Sequence, residues 1–268
     1  FRIISSAAVR THDKAHILKH LSKDLEFKDV TDELICLGIF GPKSRDLLSK
    51  ITQDDLSNEN FKFSTSKNIK LNSINVWAQR LSYVGELGYE IYIQKENAKE
   101  IYDLIVNTGK NFGLTHCGAH TMDTMRMESG FLHWGHDIST EENQYQAGLN
   151  FAKKKKKPFD FIGKENLLKI KDQKLERRFV MLVLKDNTPG KPLLLHEEPI
   201  YLDDNIVGKT TSGNYSFNYN KNLSFGYINS QFSNEQLVDK NLYIEIEKKK
   251  YPAELLIKPL KMHNFKDI

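Results

Sequence analysis

The segment SYVGELGYEIYI, residues 82–93, sets Glu86 between Gly85 and Gly88, with Tyr83, Tyr89 and Tyr92 close by in sequence. Two chemistries are open to a carboxylate on such a turn. It stays solvated, as hairpin-tip glutamates usually do, or, walled by aromatic side chains, it accepts two parallel N–H bonds from a planar heterocycle. Arg126 also has an unusual setting: it follows Met122 and Met125 on a fairly apolar helical segment, so it should lie near the buried face. Spacing alone makes it a snorkelling or ion-paired residue, with Asp123 and Glu128 as the nearby acids. His116 and His120 are four apart and His133 and His136 three apart, yet no matched acidic or thiolate set accompanies them. Asp137 beside His136 has the residue types of a general-base pair, but its context reads as an exposed loop.

Several signatures are absent. The chain has no GxGxxG following a strand, no GxxxxGK[ST], no HExxH and no GxSxG, so no local motif marks a nucleotide fold, a zinc protease or a hydrolase. With 39 Lys plus Arg against 35 Asp plus Glu, the net charge of +4 gives no strong field for nucleic acid. A small anionic ligand is compatible with it. The longest apolar run, LICLGIFG at 34–41, is far too short to cross a bilayer and reads as a buried strand. Cys36 and Cys117 fit neither a disulfide framework nor a metal knuckle, which points to a reducing compartment.

The elements that must position these residues follow from pattern. FRII (1–4) reads as a strand, and Thr11 caps a helix that turns Ala15, Ile17, Leu18 and Leu21 inward. Pro42 after Gly41 opens a second helix. INVWAQRLSY (74–83) alternates, with Trp77, Gln79, Leu81 and Tyr83 on one face and Val76, Ala78 and Arg80 on the other, and pairs with YEIYI through a five-residue loop. Two helices follow, one carrying Ile101 and Ile105, the next, GAHTMDTMRMESG, bracketed by Gly118 and Gly130. The lysine run 153–157 and PFDFIGKENLLKI form a crossing and a short helix. From about residue 175 the chain turns to short β-rich runs, RRFVMLVL, EEPIYL, NIVGKTTS, LSFGYI, NLYIEI and KYPAELLI, which suggest a small barrel or sandwich. The expected class is α+β, divided as 1–172 and 173–268, the second part all-β.

Read together, LGIFGPKSRDLLSKIT (37–52), RLSYVGELGYEIYI (80–93), GAHTMDTMRMESGFLHWGHDI (118–138), QAGLNFAKK (146–154), FIGKENLL (161–168), VGKTTSGNYS (207–216) and FGYI (225–228) resemble the folate-binding aminomethyltransferase superfamily. The YVGELGYE and WGHD segments look more like its dimethylglycine and sarcosine dehydrogenase branch than the glycine-cleavage T-protein branch. The resemblance implies a partial T-protein-like folate domain followed by a β-barrel, and a tetrahydrofolate site built from Glu86, Tyr83, Gly85, Arg126 and Trp134, with Glu86 gripping the pterin. In the dehydrogenases an FAD domain oxidises an N-methyl group to an iminium, and the folate domain captures the carbon as 5,10-methylenetetrahydrofolate. The family's acidic catalytic residue lies before the strand with which this chain begins, so the chain reads as N-terminally truncated, with no catalytic residue of its own. The expected partners are a folate and a methylated amine or amino acid, without nucleic acid or membrane, in the cytoplasm or, in a eukaryote, the mitochondrial matrix. A stand-alone aminomethyltransferase, a folate-dependent demethylase and a non-catalytic folate-binding module are the alternatives.

Overall fold

The computed structural model describes residues 1–152, 160–171, 173–186, 188–229 and 231–262; the lysine run at 153–157 and the boundary expected at residue 172 lie outside them. The chain divides into two compact units. The first comprises Phe1–Ser82 and Glu86–His116, and the second Tyr83–Gly85 and the described residues from Cys117 to Met262.

The first unit contains α1 (Arg10–His20), β1 (Leu34–Phe40), α2 (Ser44–Leu48), β2 (Thr65–Leu71), β3 (Ile74–Arg80), β4 (Gly88–Gln94) and α3 (Ala98–Gly109). Its sheet has the order β1-β4-β3-β2, and every neighbour is antiparallel. The alternation expected along β3 holds: Val76, Ala78 and Arg80 are buried while Trp77 and Gln79 are only partly so. Ile69, Leu71, Tyr89, Ile91 and Ile93 continue this inner face, against the same core as Leu47 and Leu48 of α2 and Ile101 and Ile105 of α3. The two isoleucines stand four residues apart, so one stripe of α3 meets the core.

Three local expectations are corrected. Phe1–Ser6 pairs with no strand, and Phe1 and Ile3 are exposed, while Arg2 stacks over the Trp77 ring at 4.5 Å. Helix α1 forms, but Val9 occupies its N-cap position and none of its residues is buried. The helix is tied down instead through Arg10, which donates to Asp29 (3.0 Å) and Asp32 (2.8 Å). The β3–β4 connection is longer than a five-residue loop, running over residues 81–87. Its far end bonds back to the β1–α2 turn: the Leu87 carbonyl accepts from Gly41 N (2.8 Å) and Ser44 Oγ (3.1 Å). At Gly88 a Cβ would stand 2.1 Å from Phe40 Cδ1, so the close approach of that ring requires glycine.

The second unit holds α4 (Ala119–Glu128), α5 (Lys164–Ile170), β5 (Arg178–Leu184), β6 (Pro199–Leu202), β7 (Asn205–Ser216), β8 (Lys221–Ile228), α6 (Asn234–Leu237), β9 (Leu242–Ile246) and β10 (Lys249–Leu256). All six β-rich runs form strands, and they close as β10-β5-β8-β7-β6-β9. Closure leaves no unpaired sheet edge, and the inward residues Val180, Leu182, Ile200, Ile228, Ile244 and Leu255 fill the interior. The expected α+β class with a C-terminal barrel is therefore the observed one. No described helix is long and apolar enough to cross a membrane.

Candidate functional site

In the first unit, Glu86 sits on a backbone held from both sides. Its own N–H donates to Ser82 Oγ (3.0 Å), and the next residue supplies the doubly bonded Leu87 carbonyl. The Glu86 side chain is half-buried. Just before it, Gly85 has φ +65°, a left-handed conformation that glycine adopts without strain and that reverses the chain at the tip.

The second unit gathers Tyr83, Arg126 and the segment after α4. Arg126 is 1% exposed and its guanidinium bonds in four directions: Nε to Asp123 (2.7 Å), Nη1 to the Phe131 carbonyl (3.1 Å) and to Asp137, and Nη2 to Ser212 Oγ (2.8 Å). The ion-paired reading is thus correct for Asp123. Glu128 is instead a buried acceptor for Ser216 Oγ (2.6 Å) and Asn218 Nδ2 (2.9 Å).

Asp137 departs most from expectation. It is fully buried rather than part of an exposed loop pair, while His136 beside it is exposed. Besides Arg126 it accepts from His133 N (2.9 Å), Thr211 Oγ1 (2.6 Å) and Ser212 Oγ (2.8 Å), and its backbone carbonyl accepts from Tyr227 Oη (2.8 Å). These donors satisfy a charge that burial would otherwise penalise heavily. Thr211, Ser212 and Tyr227 were not among the residues singled out by sequence. The available signal was the run of small hydroxyl residues in β7, whose buried members alternate at Thr210 and Ser212.

Tyr83 donates from its hydroxyl to the Leu132 carbonyl (3.2 Å) and stacks on Phe131 with ring centroids 6.4 Å apart. Burial, partly offset by the Arg126 charge and reinforced by Asp137 and Asp123, pushes its phenol up to about 12. The raised value fixes the sign of a pH effect: this contribution to stability is complete below the ordinary tyrosine range near 10 and is lost as pH rises through about 12. Carbon-13 NMR of labelled tyrosines, with Tyr83→Phe to assign the signal, should show Tyr83 titrating well above the exposed tyrosines. A midpoint at the ordinary value would contradict the packing. Trp134 is 41% exposed and sits in an isolated bridge to Ile138.

The histidine pairs part company. His116 bonds Tyr102 (2.8 Å), whereas His133 and His136 lie ring against ring at 4.6 Å, and burial lowers the His133 pKa. Among the described residues no group of three His, Cys, Asp or Glu side chains is arranged to hold a metal ion.

The sequence matches the GCVT N-terminal domain over residues 1–157 and the glycine cleavage T-protein C-terminal barrel domain over residues 177–261. The chain belongs to the glycine cleavage T-protein family. Within that family it is 38% identical over 263 residues to the mitochondrial dimethylglycine dehydrogenase of Homo sapiens, covering 97% of this chain and 30% of that protein. It is 30% identical to an aminomethyltransferase of Geobacillus sp. (strain WCH70), covering 97% of this chain and 69% of the relative. The fold resembles the crystal structure of the glycine cleavage system aminomethyltransferase T from Bartonella henselae, with TM-score 0.79 and 19% identity over 96% of this chain and 67% of that one. The chain thus spans less than a third of the length of the dimethylglycine dehydrogenase. Its T-protein barrel is the six-stranded barrel described above.

Proposed function

We propose that this chain is the tetrahydrofolate-binding, one-carbon-transfer region of a dimethylglycine or sarcosine dehydrogenase-like enzyme. Membership of the T-protein family and the extent of similarity to dimethylglycine dehydrogenase support a folate-linked one-carbon role. The structural observation that carries the reading is Glu86. A half-buried carboxylate on a backbone fixed at Ser82 and Leu87 is pre-positioned to accept two N–H bonds, and a pterin offers such a pair along one edge.

In this reading Glu86 fixes the orientation of the pterin, and Tyr83, Gly85, Arg126 and Trp134 are the other proposed binding residues. Tetrahydrofolate, when bound, supplies the nitrogens that capture a one-carbon unit. The chain's own contribution is binding and orientation, which convert an encounter between two small molecules into a positioned one. Oxidation of the N-methyl group to the iminium is FAD chemistry, and none of the residues named here is assigned to it. Residence in the cytoplasm, or in the mitochondrial matrix of a eukaryote, is part of the same proposal.

Calorimetric titration of the intact protein with folinic acid tests the reading: saturable binding of one equivalent is expected, and no binding would overturn it. A second reading, a stand-alone aminomethyltransferase, draws on the 69% coverage of the Geobacillus relative. Turnover of dimethylglycine or sarcosine with an electron acceptor separates the two, since the aminomethyltransferase reading requires none.

A further inference from the structure

We infer that the buried Arg126–Asp137 pair is a positioning device for Tyr83, and that Asp137 thereby sets the shape of the folate wall without touching the ligand. The inference rests on the folate reading for its functional consequence, but its geometry lies wholly within the second unit. Three consecutive residues carry it. Arg126 Nη1 holds the carbonyl of Phe131 (3.1 Å), Asp137 holds the N–H of His133 (2.9 Å), and the carbonyl between them, that of Leu132, receives the Tyr83 hydroxyl (3.2 Å). The Leu132 carbonyl shares a planar peptide unit with the His133 N–H, so holding that N–H and the preceding Phe131 carbonyl leaves it little freedom of direction. The same segment supplies the Phe131 ring on which Tyr83 stacks. Both contacts that orient Tyr83 therefore come from residues pinned by the ion pair.

The pair is itself anchored where it cannot easily shift. Ser212 of β7 bonds both partners, donating to Asp137 (2.8 Å) and accepting from Arg126 (2.8 Å), and Thr211 adds a second hydroxyl to Asp137 (2.6 Å). Tyr227 of β8 holds the Asp137 carbonyl (2.8 Å). The barrel wall is thus the rigid base, the ion pair the link, and residues 131–133 the part that meets Tyr83. A binding side chain held through a second layer of hydrogen bonds keeps its geometry without losing entropy on binding. An ion pair with a purely structural role would leave Tyr83 unaffected once the protein has folded.

Asp137→Asn distinguishes the two. Arg126 Nη1 and His133 N share the Oδ2 oxygen, which the amide oxygen can replace, but the amide loses the charge that holds Arg126 and turns its NH2 toward the Thr211 and Ser212 hydroxyls that donate to Oδ1, so the hold on residues 131–133 weakens. In folded Asp137→Asn the carbon-13 resonance of Tyr83 should shift, and the folinic acid dissociation constant should rise about tenfold. Adding Tyr83→Phe should then cost little more than either change alone, because both remove the same contact. Thr211→Val, which removes one of the donors that anchor Asp137, should move both readouts in the same direction as Asp137→Asn but by less. Arg126→Lys offers a second route if Asp137→Asn does not fold, since lysine keeps the charge but cannot hold Phe131, Asp137 and Asp123 together. An unmoved Tyr83 resonance in a folded variant overturns the positioning role, as do additive losses of affinity in the double variant. If the wild-type protein binds no folinic acid, the folate reading fails while the Tyr83 resonance still decides the positioning role.

Discussion

Arg126→Met is expected to destabilise the protein by about 3–5 kcal/mol, among the largest effects a single substitution can have here. Arg126 and Asp137 are 1% and 0% exposed, so losing the cation leaves a buried carboxylate without its counter-charge. Methionine fills much of the arginine's volume, so the loss reports the abandoned charge rather than a cavity. It also removes the donor that Arg126 gives the Phe131 carbonyl. Urea denaturation should show a lower midpoint with an unchanged slope, the signature of reduced stability without a change in exposed surface. The double variant Arg126→Met/Asp137→Leu should regain part of the loss, because it removes the second charge as well. A loss below about 1 kcal/mol in the single variant would mean that the site hydrates and that the pair is not the keystone drawn above.

Glu86→Ala should weaken folinic acid binding to the intact protein by about 2–3 kcal/mol, roughly 30- to 150-fold in dissociation constant. The figure follows from removing a charged acceptor that meets two donors, which also leaves those donors on the ligand unpaired. Glu86→Gln should recover only part, since its amide can accept at the oxygen but presents N–H groups to the second donor. The bonds of Ser82 Oγ to the Glu86 backbone and of the Leu87 carbonyl do not involve the Glu86 side chain, and the urea midpoint of Glu86→Ala beside wild type measures any cost to folding separately from binding. That separation makes the experiment clean. Unchanged affinity in calorimetry would sink the assignment of Glu86 while leaving the family membership intact.

The two residues illustrate what pattern can and cannot reveal. The alternation along β3, the Ile101–Ile105 stripe of α3 and the six short β-rich runs are local signals, and each appears in the fold as expected. Where the readings of Phe1–Ile4 and α1 failed, a plausible local pattern found no apolar partner surface: strand and helix faces are decided by what they pack against. Asp137 failed for the converse reason. Beside a histidine in a loop it has every local mark of exposure, and its burial depends on Ser212 and Thr211, more than seventy positions away.

The sequence by itself determined the α+β class, the barrel, the helix carrying Arg126 and the motifs that identify the family, because periodicity and glycine placement act over a few residues. Only the tertiary structure decided that Asp137 and not Glu128 joins Asp123 in pairing with Arg126, and that the Leu132 carbonyl receives Tyr83. Buried polar groups must find partners wherever the fold brings donors and acceptors together, and sequence spacing does not encode that proximity.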